Sequence, residues 1–317
     1  MIHSTCWSHI LHLVGEEIRS KLKLADSYIA SMKAALTKAP ARRNELLDKF
    51  EAHGLQRKLP PVPVITRWGT WLEAGNFHFQ HLNAELEFIE SIENDSAAVD
   101  NLKDLGKEEN LKLQLQKIAE ICPTITTAIK TLEQNSLPAS DVWLTLKTVQ
   151  GALEEVFDSP PQKLNLYMYS NHPSKTSWEG VQYFDPRKAS QFVGGTETIP
   201  ASLSFVCPRE VTEVELRKYK EIRNAEVFDR SFCPYKFWQK YSREMPYLSS
   251  AALKALCFPP SSAEVERSFS AMKRILTPQR TSLTEENLAF HLQLAFNQRI
   301  QADDDREDET EDSDKDF

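Results

Sequence analysis

Glycine is scarce, nine residues in a chain of 317. So few permissive positions cannot supply the tight turns of a strand-rich architecture. No apolar run approaches the roughly 20 residues that a membrane-crossing helix needs. The cysteines, Cys6, Cys122, Cys207, Cys233 and Cys257, are odd in number, scattered, and form no Cys-x-x-Cys pair. They read as reduced intracellular thiols, not as a disulfide frame or a zinc cage. The opening MIHSTCWSHILHLVGEE has neither a basic lead nor a small-residue cleavage site, so no signal peptide is expected. A basic excess is also missing. The formal net charge is −8, but residues 303–317 alone hold ten acids and two bases, which leaves 36 acids against 36 bases in the rest. That body lacks the charge of a dedicated DNA-binding domain, with a local basic patch still open. The tail is expected to be a disordered acidic end.

What is present is helical periodicity punctuated by 17 prolines. Hydrophobic content of 41% and charged content of 26% are those of a globular chain with room for about two domains. Residues 6–37 carry one long stripe: Ile10, Leu13, Val14, Ile18, Leu22, Ala25, Ile29 and Met32. A second helix is expected over Ala41–His53, with Leu46, Leu47 and Phe50 inward, Arg42 and Arg43 outward, and Gly54 as its stop. Prolines 60, 61 and 63 force an extended segment before Arg67-Trp68. Helices follow over Leu72–Ile92, Val99–Ile121, from Pro123 to about Leu132, and Ala139–Phe157. Residues 159–200 are loop-rich. Val211–Val227 is helical again.

The most informative stretch is Pro259–Gln298, two helices joined by a short break. Ser261 to Glu264 is a capping box. Val265, Phe269, Met272 and Leu276 share a face of the first helix, and Pro278 ends it. Ser282 or Thr284 caps the second, whose stripe is Leu288, Leu292 and Ala295/Phe296. Ile275 and Leu294 widen these faces beyond what one hairpin buries, so the stretch is expected to seek a partner.

The wording SSAEVERSFSAMKRILTPQRTSLTEENL closely resembles the C-terminal signature of hAT-superfamily DNA transposases. Further islands in family order strengthen the resemblance. Cys6-Trp7-Ser8-His9 resembles a Cys-x-x-His motif, and Thr66-Arg67-Trp68 a Thr-Arg-Trp motif. Asp185-Pro186-Arg187 resembles an Asp-Pro-Arg segment, and Phe237-Trp238 with Pro246 a Trp-Trp block. The resemblance implies that 259–298 packs subunits together and that Glu266 is the last acid of a metal-binding triad. It also implies that Trp68, with Arg67, contacts nucleic acid by stacking. The residues alone leave a second reading open, with Trp68 and Trp71 packed in the core. Cys6 and His9 fall short of four zinc ligands even with His3 or His12, so a capped helix start is preferred. Asp185 is expected to cap a turn or helix that has Pro186 at its first position.

The two Asp residues of the family triad stand before the Cys-x-x-His motif, and only five residues precede that motif here. Glu266 alone cannot hold two cations. The fold class expected is mainly α: a helical insertion domain plus a C-terminal helical remnant of a ribonuclease-H-like core, with the β-sheet largely missing. The expected segments are 1–158 (insertion domain), 159–200 (connector), 201–300 (dimerisation region) and 301–317 (acidic tail). The function expected is that of a non-enzymatic, transposase-derived dimerisation protein with residual DNA contact. The alternative is a fragment of an active Mg-dependent transposase. Expected partners are a second copy or a related hAT protein, with weak DNA contact and no membrane. No metal or other cofactor is expected, Mg²⁺ entering only if the missing acids are supplied upstream. The family resemblance places the protein in the nucleus.

Overall fold

The computed structural model describes residues 6–64, 68–93, 96–134, 137–171, 175–189, 199–204, 206, 211–229, 232–262, 272, 275, 284–291 and 293–294. The chain forms two compact units, Met1–Pro260 and Ser261–Phe317. The expected breaks at 158 and 200 both fall inside the first unit. The fold is mainly α, and no sheet occurs among the described residues.

Local chemistry sets several helix ends. α3 (Pro40–Ala52), α11 (Pro234–Lys240) and α12 (Pro246–Leu256) each start with a proline. Its fixed φ suits the first turn, where its missing N–H costs nothing. Gly54, at φ 69°, turns the chain just after α3, in the left-handed region that glycine occupies without strain. α7 (Ala139–Val156) and α10 (Glu213–Ala225) lie close to their expected limits.

Other limits differ from the sequence reading. The stripe over 6–37 is two helices, α1 (Trp7–Lys21) and α2 (Lys23–Leu36). The break at Leu22 leaves two N–H groups of α2 without helical partners. The Gln114 Oε1 atom, far along the chain, accepts from Leu24 N at 3.0 Å and Ala25 N at 3.2 Å. Arg42 and Arg43 do not simply face outward. They donate to the Ala35 and Leu36 carbonyls, at 3.2 and 2.8 Å, and so cap the end of α2.

After α4 (Trp68–Ser91), the expected helix from Val99 to Ile121 is interrupted. α5 (Ala97–Gly106) stops at a glycine lying against Leu86, and α6 (Asn110–Leu132) begins afresh. Pro123 does not start a helix but sits inside α6. The proline removes one N–H, and packing along α4 and α7 holds the helix through it. Residues 159–200 are also less loop-like than expected. They contain α8 (Lys163–Leu166), a π-turn at Tyr167–Asn171, α9 (Lys175–Val181) and a 3₁₀ turn at Gln182–Phe184.

α4 and α6 form the most extensive helix pair, flanked by α3 and α5 on one and α7 on the other. The core includes Trp7, Tyr28, Phe50, Phe88, Trp178 and Trp238, all fully buried. Each large side chain removed from water stabilises the fold by roughly 1.5–3 kcal/mol before entropy is counted. Trp71 is buried as well, its indole N–H donating to Asp26 Oδ1 at 3.0 Å. Asp26 also pairs with Arg19 across the α1–α2 break, at 2.5 Å.

The closeness of α4 and α6 depends on Gly75. A Cβ there would lie 2.5 Å from Ile118 Cγ2 and 3.2 Å from its branched Cβ. Gly75→Ala should therefore destabilise the fold by about 1–3 kcal/mol through overpacking. Gly151, inside α7, has open space around it. Gly151→Ala should be neutral or stabilising by up to about 1 kcal/mol. Urea unfolding of the two variants beside the parent checks both signs.

Candidate functional site

The residues singled out in the sequence are positioned by different elements. Cys6 is the N-cap of α1, and its Sγ accepts from His9 N at 3.4 Å. The His9 side chain is exposed. Among the described residues no group of three or more His, Cys, Asp or Glu is placed to hold a metal. The cap delivers Trp7 into the core, where it meets Trp143 and Trp178 edge-on, each at 6.4 Å. Trp7 N donates to the Pro260 carbonyl at 2.9 Å, so the start of α1 is pinned to the end of the first unit.

Asp185 follows the 3₁₀ turn and is fully buried. Its Oδ1 accepts from Arg187 N at 3.0 Å and Arg187 Nε at 2.9 Å, and its Oδ2 from Arg187 Nη2 at 2.7 Å. Lys188 Nζ reaches Asp185 Oδ2 at 3.5 Å and Asp141 Oδ1 at 2.5 Å. The Asp185 carboxylate raises the Arg187 pKa, chiefly through the hydrogen bond. A buried carboxylate engaged by a guanidinium and an ammonium is neutralised in place. Of the turn or helix start expected at Pro186, the structure has the turn, over 186–188, with Lys188 N and Ala189 N donating to the Asp185 carbonyl, each at 2.9 Å.

An aromatic cluster holds this turn. Trp238 Nε1 donates to the Phe184 carbonyl at 2.7 Å, and the Tyr219 hydroxyl to the Tyr183 carbonyl at 2.9 Å. The Tyr219 and Trp238 rings lie 4.8 Å apart. Phe237-Trp238 on α11 and Tyr219 on α10 thus fix the Asp-Pro-Arg segment. The aromatic core supplies its shape, and two buried donors set its register.

Glu215, in the first turn of α10, is buried. Its carboxylate accepts from Tyr247 N at 3.0 Å and Leu248 N at 3.1 Å. A negative charge therefore sits on the N-terminus of α12, where unpaired N–H groups and the helix dipole favour it. Val214 (73%), beside Glu215 on α10, and Tyr247 (47%), in the first turn of α12, are exposed. Nothing in the sequence singled out Glu215, because its partners are more than 30 residues away.

In the second unit, Thr284 caps a helical stretch over 285–291. Its Oγ1 accepts from Asn287 N at 3.3 Å and its carbonyl from Leu288 N at 2.9 Å. Leu288 is half-buried, as are Met272 and Ile275. Phe290 and Leu294, one helical turn apart, are exposed at 58% and 42%. The sequence reading missed Phe290, because it lies between the positions of the Leu288–Leu292 stripe. Its spacing of four from Leu294 was the available signal. Val265, Glu266, Phe269, Leu276, Leu292 and Phe296 lie outside the described residues, as does Arg67. Trp68 is the first residue of α4. The segment before it is tied down where Val64 N donates to Thr70 Oγ1 at 2.8 Å.

Residues 215–297 match the family model described as the hAT family C-terminal dimerisation region. This part of the chain is similar to a hAT dimerisation region. A search of curated proteins found no match. The matched hAT segment begins at Glu215 itself and takes in Tyr219, Trp238, α12 and the exposed Phe290–Leu294 pair. No described helix is long and apolar enough to cross a membrane.

The Glu215 carboxylate links α10 to the start of α12 inside the matched segment. Glu215→Ala strands two N–H groups of α12 and should cost about 1–3 kcal/mol. Glu221→Ala, an exposed acid on the same helix, should stay within about 0.5 kcal/mol of the parent. Thermal unfolding followed by circular dichroism separates the two.

Proposed function

We propose that the chain is a transposase-derived dimerisation protein that cuts no DNA by itself, pairs with a second copy or a related hAT protein, and works in the nucleus. The observation that carries this reading is the hAT dimerisation match, together with an exposed apolar pair inside it. Phe290 and Leu294 lie within two helical turns of half-buried Leu288, a combination that water disfavours and a partner helix would cover. An isologous dimer is the commonest solution for such a surface. The reading without cleavage is supported by the state of Asp141 and Asp185. Their carboxylates are engaged by Arg187 and Lys188, and a single acid such as Glu266 cannot hold two cations.

Sedimentation velocity at micromolar concentration should show a dimer. Phe290→Asp combined with Leu294→Asp changes only exposed positions, so helicity should persist while the species shifts toward monomer. A wild-type chain that sediments purely as a monomer would sink the dimer reading.

DNA contact through Arg67 and Trp68 belongs to the same proposal. It is weak, salt-sensitive and tolerant of sequence, because a body of balanced charge offers few phosphate contacts. Trp68→Ala should weaken binding to a DNA hairpin by about 1–3 kcal/mol if a base stacks there. Unchanged affinity with a lowered melting temperature would move Trp68 to a packing role. Nicking of that hairpin with Mg²⁺, lost in Glu266→Ala, would overturn the reading without cleavage.

A further inference from the structure

The proline-rich segment before α4 closes one side of a cavity of about 360 Å³. Its walls are mostly apolar, with Ile29 and Leu36 from α2 facing Pro60 and Val62. Three nitrogen-bearing side chains line it too: Lys33 on α2, Arg43 on α3 and His78 on α4. Neither Lys33 nor Arg43 has an acidic partner among the described residues. Arg43 uses its Nε on the Leu36 carbonyl.

His78 is almost fully buried, and its Nδ1 lies 2.9 Å from Glu85 Oε1. Glu85 also accepts from the Tyr28 hydroxyl at 2.9 Å. Burial, and then the Glu85 charge, push the Tyr28 phenol well above its usual range, so it stays a donor. Glu85 thus orients the His78 ring through Nδ1. No hydrogen bond to its Nε2 is seen among the described residues, and the ring lines the cavity.

Apolar walls with unpaired cations among them suit one ligand chemistry. A bare anion would leave the walls unused, and a neutral hydrocarbon would leave the cations unused. We propose that this cavity binds a small organic monoanion, a compact apolar body carrying one carboxylate. The body lies between α2 and the proline segment. The carboxylate meets Lys33 and Arg43, and His78 Nε2 offers a further polar contact. The volume is that of a small-molecule site, and the inference is independent of the dimerisation reading.

Isothermal titration of the full chain with octanoate, 1-octanol and thymidine monophosphate tests it. Octanoate should bind once per chain, with 1-octanol about tenfold weaker or more, since it lacks the charge. Lys33→Glu should weaken octanoate about tenfold. Val62→Trp, at an exposed wall position, should fill the cavity and weaken octanoate at least as much, with an unchanged melting curve. Three results would overturn the proposal: no octanoate binding at millimolar concentration, octanoate binding untouched by both substitutions, or tighter binding of the nucleotide than of octanoate.

Discussion

A helix leaves its first N–H groups and last carbonyls without partners, and a fold built from helices must satisfy many such ends. In this chain several of them are met by side chains remote in sequence. Gln114 takes the first N–H groups of α2, and Glu17 those of Gln162 and Lys163 at the start of α8. Glu215 does the same for α12. The three carry negative charge or a carbonyl dipole to helix N-termini, where the macrodipole rewards it. Each cap also fixes one helix against another, so helix ends and packing are settled together. The apolar core supplies most of the driving force, and these polar links select one arrangement of it.

The family motifs do similar work. Cys6 caps α1 and turns Trp7 inward. Asp185 knots a turn by engaging Arg187 and Lys188, while Trp238 and Tyr219 bind the carbonyls just before it. These are positioning roles. They tie the first part of the chain to α10 and α11, with which the segment matched by the hAT family model opens.

The sequence made the helices legible wherever their signals are local. Pro40, Pro234 and Pro246 mark starts, Gly54 marks a stop, and the period of the stripes gives the rest. It hid whatever depends on distant partners. The stripe through Leu22 is continuous, and only Gln114 from α6 makes the break affordable to the backbone. Pro123 obeys a local rule for helix starts, but the tertiary packing of α6 overrides it. Glu215 looked like one acid among many on a charged helix. Phe290 escaped because the Leu288 stripe accounted for its neighbourhood, and it became visible only as an exposed ring. The cavity beside His78 is assembled from three helices and a proline segment, a combination that no spacing encodes.

The central claim is that the last described helical stretch of the matched segment makes contact with another chain. Amide hydrogen exchange, followed at protein concentrations well below and well above the association midpoint, tests this directly. The account predicts that amides of residues 284–294 gain protection as concentration rises, while those of α4 and α6 exchange at the same rate throughout. Identical exchange in 284–294 at both concentrations would contradict it.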